Sequence, residues 1–199
     1  MIQNEIKILQ LNNDENTLAQ FVRLHKLLFD KEHFTALFNE QLLEKYFTEL
    51  LSKSSYKIAA YHNEEMVGYL IAGENLDNAL KKFSKENFIK ILLVLLLNPR
   101  FLFEKISDAL SKFFYQRRKS SAPMRLFLIA SKHNENIKGV GKLLVESFEN
   151  YLIEHNVNTY GLSVRKHNKT AIGFYKKIGL KEEFRNHKSI FFIKKLSER

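Results

Sequence analysis

Asn136-Ile137-Lys138-Gly139-Val140-Gly141-Lys142 stands between an apolar, β-compatible stretch (residues 124–131) and a run with Val140, Leu143, Leu144, Phe148, Tyr151 and Leu152 on one helical face. The segment is therefore a strand-to-helix turn. A helix start carries amides without intrahelical acceptors and the positive end of the helix dipole, so it attracts phosphate. Gly139 and Gly141 remove side chains that would hold the backbone away from an anion, while Lys138 and Lys142 add charge. Physically this is a pyrophosphate cradle; the alternative is a tight turn with no ligand. A Walker-type loop would need Gly at 136 and Ser or Thr at 143, where the chain has Asn136 and Leu143. A dinucleotide fingerprint would need a small residue where Leu144 stands. Both readings fail at their defining positions.

Working outward, residues 159–164 read as a strand, 170–178 as a helix closed by Gly179, and 189–194 as a last strand. Towards the N-terminus, residues 6–11 alternate apolar and polar like a half-buried strand. Leu18, Phe21, Val22, His25, Leu28 and Phe29 then follow helical spacing, and residues 39–53 repeat it. Residues 56–61 and 66–72 form a hairpin across His62-Asn63-Glu64-Glu65. The order is mixed α/β, with hairpins beside a strand–helix–strand unit. Residues 76–120 interrupt it as an insertion of apolar stretches and cations, broken into two helices at Asn98-Pro99. Ten Lys and Arg against four Asp and Glu give this window a net +6, more than half of the chain's +10.

The 199 residues suit a single domain, and 45% hydrophobic with 27% charged residues is a globular balance. The absence of Cys excludes disulfides and thiolate metal sites and fits a reducing cytoplasm, the expected location; no metal is expected. Met1-Ile2-Gln3-Asn4-Glu5 lacks the layout of a signal peptide. The most apolar run, residues 89–97, falls short of the roughly 20 residues that span a bilayer. The positive charge suits a polyphosphate ligand or an anionic membrane surface. It is spread along the chain without an arginine-rich tract or nucleic-acid motif, so no nucleic-acid partner is expected.

Asn168-Lys169-Thr170-Ala171-Ile172-Gly173-Phe174-Tyr175-Lys176-Lys177-Ile178-Gly179-Leu180 follows the strand ending in Leu162-Ser163-Val164. Asn168 suits the cap of the next helix, and Ala171, Phe174 and Ile178 fall at core spacing. Read by itself, Tyr175 is an amphipathic aromatic at a helix edge. The segment closely resembles the pattern Asn-x-x-Ala-x-x-Phe/Leu-Tyr-x-x-x-Gly-Phe of the GNAT acyltransferase superfamily. The glycine turn resembles that superfamily's Gln/Arg-x-x-Gly-x-Gly/Ala signature, with Asn136 in place of Gln or Arg.

The resemblance implies a GNAT fold over nearly the whole chain, with the helical insertion before strand four. It also implies acetyl-CoA as cosubstrate and direct attack by an amine in a ternary complex. The coenzyme would be held by Ile129, Ala130 and Ser131, by Asn136, Ile137, Lys138, Gly139, Val140, Gly141 and Lys142, and by Asn168 and Tyr175. In the family a Tyr at this place faces the thioester sulfur. A phenol of pKa about 10 is protonated at neutral pH, and a thiol ionises at about 8.5. Full proton transfer to the thiolate is thus uphill by roughly 2 kcal/mol, so Tyr175 is expected to donate a hydrogen bond as much as a proton.

A base must take the amine's proton, and residues 124–130 hold no carboxylate. Glu74, just past strand three, is the first candidate; His133 and Glu135 follow, each with a plain surface role as alternative. The basic insertion resembles that of family members acting in surface-polysaccharide synthesis, which implies a small-molecule amine acceptor such as an amino sugar on a nucleotide or lipid carrier. Otherwise the insertion packs over the sheet, touches a membrane surface or forms a homodimer contact. A non-catalytic acyl-CoA sensor of the same fold is the rival to an enzyme.

Overall fold

A computed structural model describes residues 6–12, 14–29, 33–114, 118–132 and 137–196, the stretch 108–114 by its backbone alone. Asn136, His133 and Glu135, named above from the sequence, lie outside the described residues.

The N-terminal strand is β1 (Lys7–Gln10), followed by helices α1 (Glu15–Leu28) and α2 (Glu40–Lys53) with a short 3-10 turn, Phe34–Leu37, between them. α1 begins a turn earlier than its apolar spacing suggests. Asp14 accepts from the Thr17 amide at 2.8 Å and so satisfies one of the donors a helix start leaves open. Asn39 does the same for α2 through the Leu42 amide at 2.9 Å.

The hairpin β2 (Tyr56–His62) and β3 (Glu65–Gly73) follows. The insertion forms three helices rather than two: α3 (Leu76–Glu86), α4 (Phe88–Leu96) and α5 (Pro99–Phe114). α3 escaped the sequence reading because only Leu76, Ala79 and Phe83 are buried on an otherwise polar helix. The rest comprises β4 (Met124–Ser131), α6 (Val140–Glu154), β5 (Thr159–Arg165), α7 (Lys169–Lys177), β6 (Lys181–Arg185) and β7 (Ser189–Lys195). β6, Lys-Glu-Glu-Phe-Arg, was not anticipated. It is a polar edge strand that leans on β7 for its ladder and carries little alternation of its own.

The seven strands lie in the order β1-β2-β3-β4-β5-β7-β6, antiparallel throughout except between β4 and β5. α6 and α7 cover one face, where Ile58, Leu70, Leu126, Leu144, Phe148, Leu162 and Phe192 pack together. α1, α2 and α3 cover the other, around Phe21, Leu43, Phe47, Tyr69 and Ile71. This is a three-layer α/β architecture with a core on each side of the sheet.

A polar cluster centred on His25 lies within the second core. His25 is fully buried, 2.8 Å from the Tyr69 hydroxyl through Nδ1 and 2.8 Å from Thr35 Oγ1 through Nε2. Burial, with a smaller contribution from His33, pushes its pKa down to about 3, so the ring is neutral.

Candidate functional site: a gap between parallel strands

β4 and β5 pair at Met124↔Tyr160 and Arg125↔Gly161 and then part. Each keeps its outer neighbour to the end: β4 holds β3 as far as Gly68↔Ser131, and β5 holds β7 as far as Arg165↔Ser189. The cause lies in β4. Ile71 pairs with Leu128 and Ala72 with Leu126, which leaves Phe127 as an extra residue. A bulge of this kind bends its strand and increases the local twist. β4 therefore leaves β5 directly after Arg125 and opens a wedge-shaped gap in the sheet.

The start of α6 lies at the open end of this gap. Gly139 caps the helix at φ 78°, a left-handed conformation that glycine adopts without a steric penalty. No side chain caps α6, so its first amides keep their donors. Val140 is buried and anchors the turn, while Lys138 and Lys142 are exposed beside it. Ile137 is buried. The two sequence motifs meet here: a Cβ on Gly141 would lie 3.6 Å from Phe174 Cζ and 3.6 Å from Ser131 Oγ. The end of β4, the first turn of α6 and the flank of α7 thus converge on one spot.

On α7, Asn168 accepts from the Ala171 amide at 3.0 Å, the capping geometry expected from its type. Tyr175 is 8% exposed, with its ring 5.5 Å from Phe174 and 6.2 Å from Phe192. Among the described residues its hydroxyl has no hydrogen-bond partner. Burial pushes that hydroxyl up to about 12, so it is a donor at every physiological pH. Nearby Tyr160 donates to Glu149 Oε1 at 2.6 Å, and the same carboxylate receives Lys194 at 2.7 Å, tying α6 to β5 and β7.

Glu74 is exposed, directly after Gly73, whose partner across the ladder is Arg125. It therefore sits by the closed end of the gap, away from the glycine turn. Arg125 was missed by the sequence reading. Its Nη1 is buried without a hydrogen-bond partner, and its guanidinium lies 5.7 Å from the centre of the Phe191 ring. A lone Arg in an apolar strand (Met124-Arg125-Leu126-Phe127) was the available signal.

The insertion also contributes. Glu104 on α5 pairs with Arg165 Nη2 at 2.6 Å and Lys188 Nζ at 3.2 Å, at the end of β5 and the β6–β7 turn. In the same helix Phe101 lies 5.5 Å from Phe34, in the turn between α1 and α2. α5 thus bridges the α1–α2 connection to the open end of β5. Among the described residues no cluster of His, Asp and Glu could hold a metal ion.

Residues 114–180, which contain both motifs together with β4, α6, β5 and α7, match the model of the acetyltransferase (GNAT) family. No curated protein sequence matches the chain. Solved structures share its fold from end to end at low identity. The PaiA N-acetyltransferase of Thermoplasma acidophilum, determined in complex with coenzyme A, is 13% identical over 96% of this chain and 99% of its own, with a TM-score of 0.60. The ribosomal-protein-S18-alanine N-acetyltransferase of Escherichia coli is 15% identical over 97% and 95%, at 0.57. Arabidopsis thaliana Naa50, bound to the bisubstrate analogue CoA-Ac-MVNAL, is 15% identical over 96% and 99%, at 0.55. The likeness to these structures is one of fold, and it spans nearly the whole chain.

Proposed function

We propose that the chain is a GNAT acetyltransferase, which transfers an acetyl group from acetyl-CoA to a primary amine that enters from the α5 side of the gap. The observation that carries the reading is the convergence of the uncapped α6 start, Ser131 and α7 at the mouth of a gap between parallel strands. The amides of Val140, Gly141 and Lys142 suit a diphosphate, which a helix start stabilises by its open donors and dipole. Ile129, Ala130 and Ser131 lie where β4 has lost β5 as a neighbour, so that edge suits an extended amide-bearing arm.

The amine nitrogen attacks the thioester carbonyl, forming the N–C bond as the C–S bond breaks. Its proton passes to Glu74 or to solvent, and the sulfur leaves as a thiolate. The Tyr175 hydroxyl stabilises that charge by donating a hydrogen bond. With its pKa near 12, full proton transfer to sulfur is disfavoured, so the hydroxyl acts as a polarising donor. On the opposite face Arg125, with one buried nitrogen unpartnered, suits an acceptor with an anionic group, such as an amino sugar on a phosphate carrier. Thiol release from acetyl-CoA, measured over a panel of amino-sugar nucleotides, polyamines, aminoglycosides and peptides, tests the reading. Release with at least one amine, coupled to coenzyme A binding by calorimetry, is the expected result. Absence of any heat from coenzyme A would remove it.

A further inference from the structure

The insertion ends in a face that the domain itself does not cover. No residue of α4 is buried. Ile91 and Val94 rest partly against the α1–α2 core. On the other side Ile89 (72% exposed), Leu93 (55%) and Leu96 (55%) recur at i, i+4 and i+7, with Leu97 (81%) extending the stripe. α5 adds exposed Phe103 and Ile106, while Phe101, Glu104 and Lys105 of the same helix contact the body. Lys85 on α3, Lys90 on α4 and Arg100 on α5, all within the insertion, are exposed as well.

We infer that α4 and the outer face of α5 dock the protein onto an anionic lipid bilayer, lying in the interface plane. Helices with an apolar stripe bordered by Lys and Arg bind membranes in this way, burying the stripe at the headgroup boundary while the cations meet acidic lipids. A second copy is a poorer occupant. A two-fold contact would bring two positively charged rims, each with Lys85, Lys90 and Arg100, to one interface. Among the described residues no helix is long and apolar enough to cross a membrane, so the contact is lateral. This inference is independent of the acyl-transfer reading.

Co-sedimentation of the full chain with phosphatidylcholine vesicles, with and without phosphatidylglycerol, tests it. Partition onto the phosphatidylglycerol vesicles should be at least about tenfold stronger and should weaken as salt rises. The double variant Leu93→Glu, Leu96→Glu should lose about tenfold or more of that binding while keeping its thermal melt and coenzyme A affinity. Lys85→Glu with Lys90→Glu should lower it by the same assay without touching the stripe. No pelleting at low salt, or unchanged pelleting of both double variants, would overturn the inference. So would a lipid-free dimer in analytical ultracentrifugation that Leu93→Glu, Leu96→Glu converts to monomer, which would assign the face to a second copy.

Discussion

Gly68 on β3 and Val140 at the start of α6 are in direct apposition: a Cβ on residue 68 would lie 2.8 Å from Val140 Cγ1 and 3.1 Å from the Ala130 carbonyl oxygen. The first turn of α6 rests on the sheet because residue 68 has no side chain. Gly68→Ala should therefore cost about 1–3 kcal/mol, the usual penalty of overpacking. Since it lifts the helix start, coenzyme A affinity should fall several-fold as well. Urea unfolding and calorimetry on the same samples would show both effects.

The two glycines of the turn should separate stability from binding. At Gly139 a methyl group would meet open space, but the φ of 78° is one that alanine resists. Gly139→Ala should therefore destabilise by about 1 kcal/mol through backbone strain. Gly141 lies inside α6, and its Cβ would make ordinary contacts. Gly141→Ala should leave stability unchanged or slightly raised, yet narrow the cradle and weaken coenzyme A. Thermal melts set against calorimetric titrations would separate the two effects.

Tyr175→Phe should lower kcat by about tenfold to a hundredfold, with coenzyme A affinity within about twofold of the wild type. Because burial holds the phenol up to about 12, its ionisation should give the wild-type rate no alkaline fall below about pH 11. A fall at lower pH that disappears in Tyr175→Phe would contradict the assigned proton state.

His25 should couple stability to acid. Its folded pKa, about 3, lies below the unfolded value of 6.5, so the unfolded chain takes up the proton first. The contribution is intact above about pH 6.5 and is lost progressively as pH falls towards 3, the loss reaching about 2 kcal/mol by pH 5. The His25 ring resonances should not titrate in the folded protein between pH 8 and about 5. The stability advantage of wild type over His25→Gln should shrink across the same interval.

Glu104→Gln tests the insertion as part of the acceptor side. The pairs with Arg165 and Lys188 are partly exposed, so the stability cost should stay within about 1 kcal/mol. Steady-state kinetics should show a higher KM for the amine and an unchanged KM for acetyl-CoA.

Most of this architecture is legible in the residues, because local chemistry and tertiary packing agree there. Residues 124–131 read as a strand and form β4. The Asn168 motif reads as a capped helix and forms α7. What escaped depends on contacts that no local pattern carries. β6 is held by its neighbour, α3 buries only three side chains, and Arg125 is informative only once its nitrogen is seen to lack a partner. The gap is likewise invisible in the alternation of β4, because Phe127 is as apolar as the residues around it.

That one unpaired phenylalanine also exchanges odd for even along β4. Met124 and Leu126 look towards α6 and α7; past the bulge it is Ile129 and Ser131 that do so, whereas uninterrupted alternation of the same residues would have sent Leu128 and Ala130 there. Phe127 is thus a punctuation mark in the strand. A version one residue shorter would still present Ile129 and Ser131 to the same layer, but flat and in step with β5, with no aperture left between the two strands.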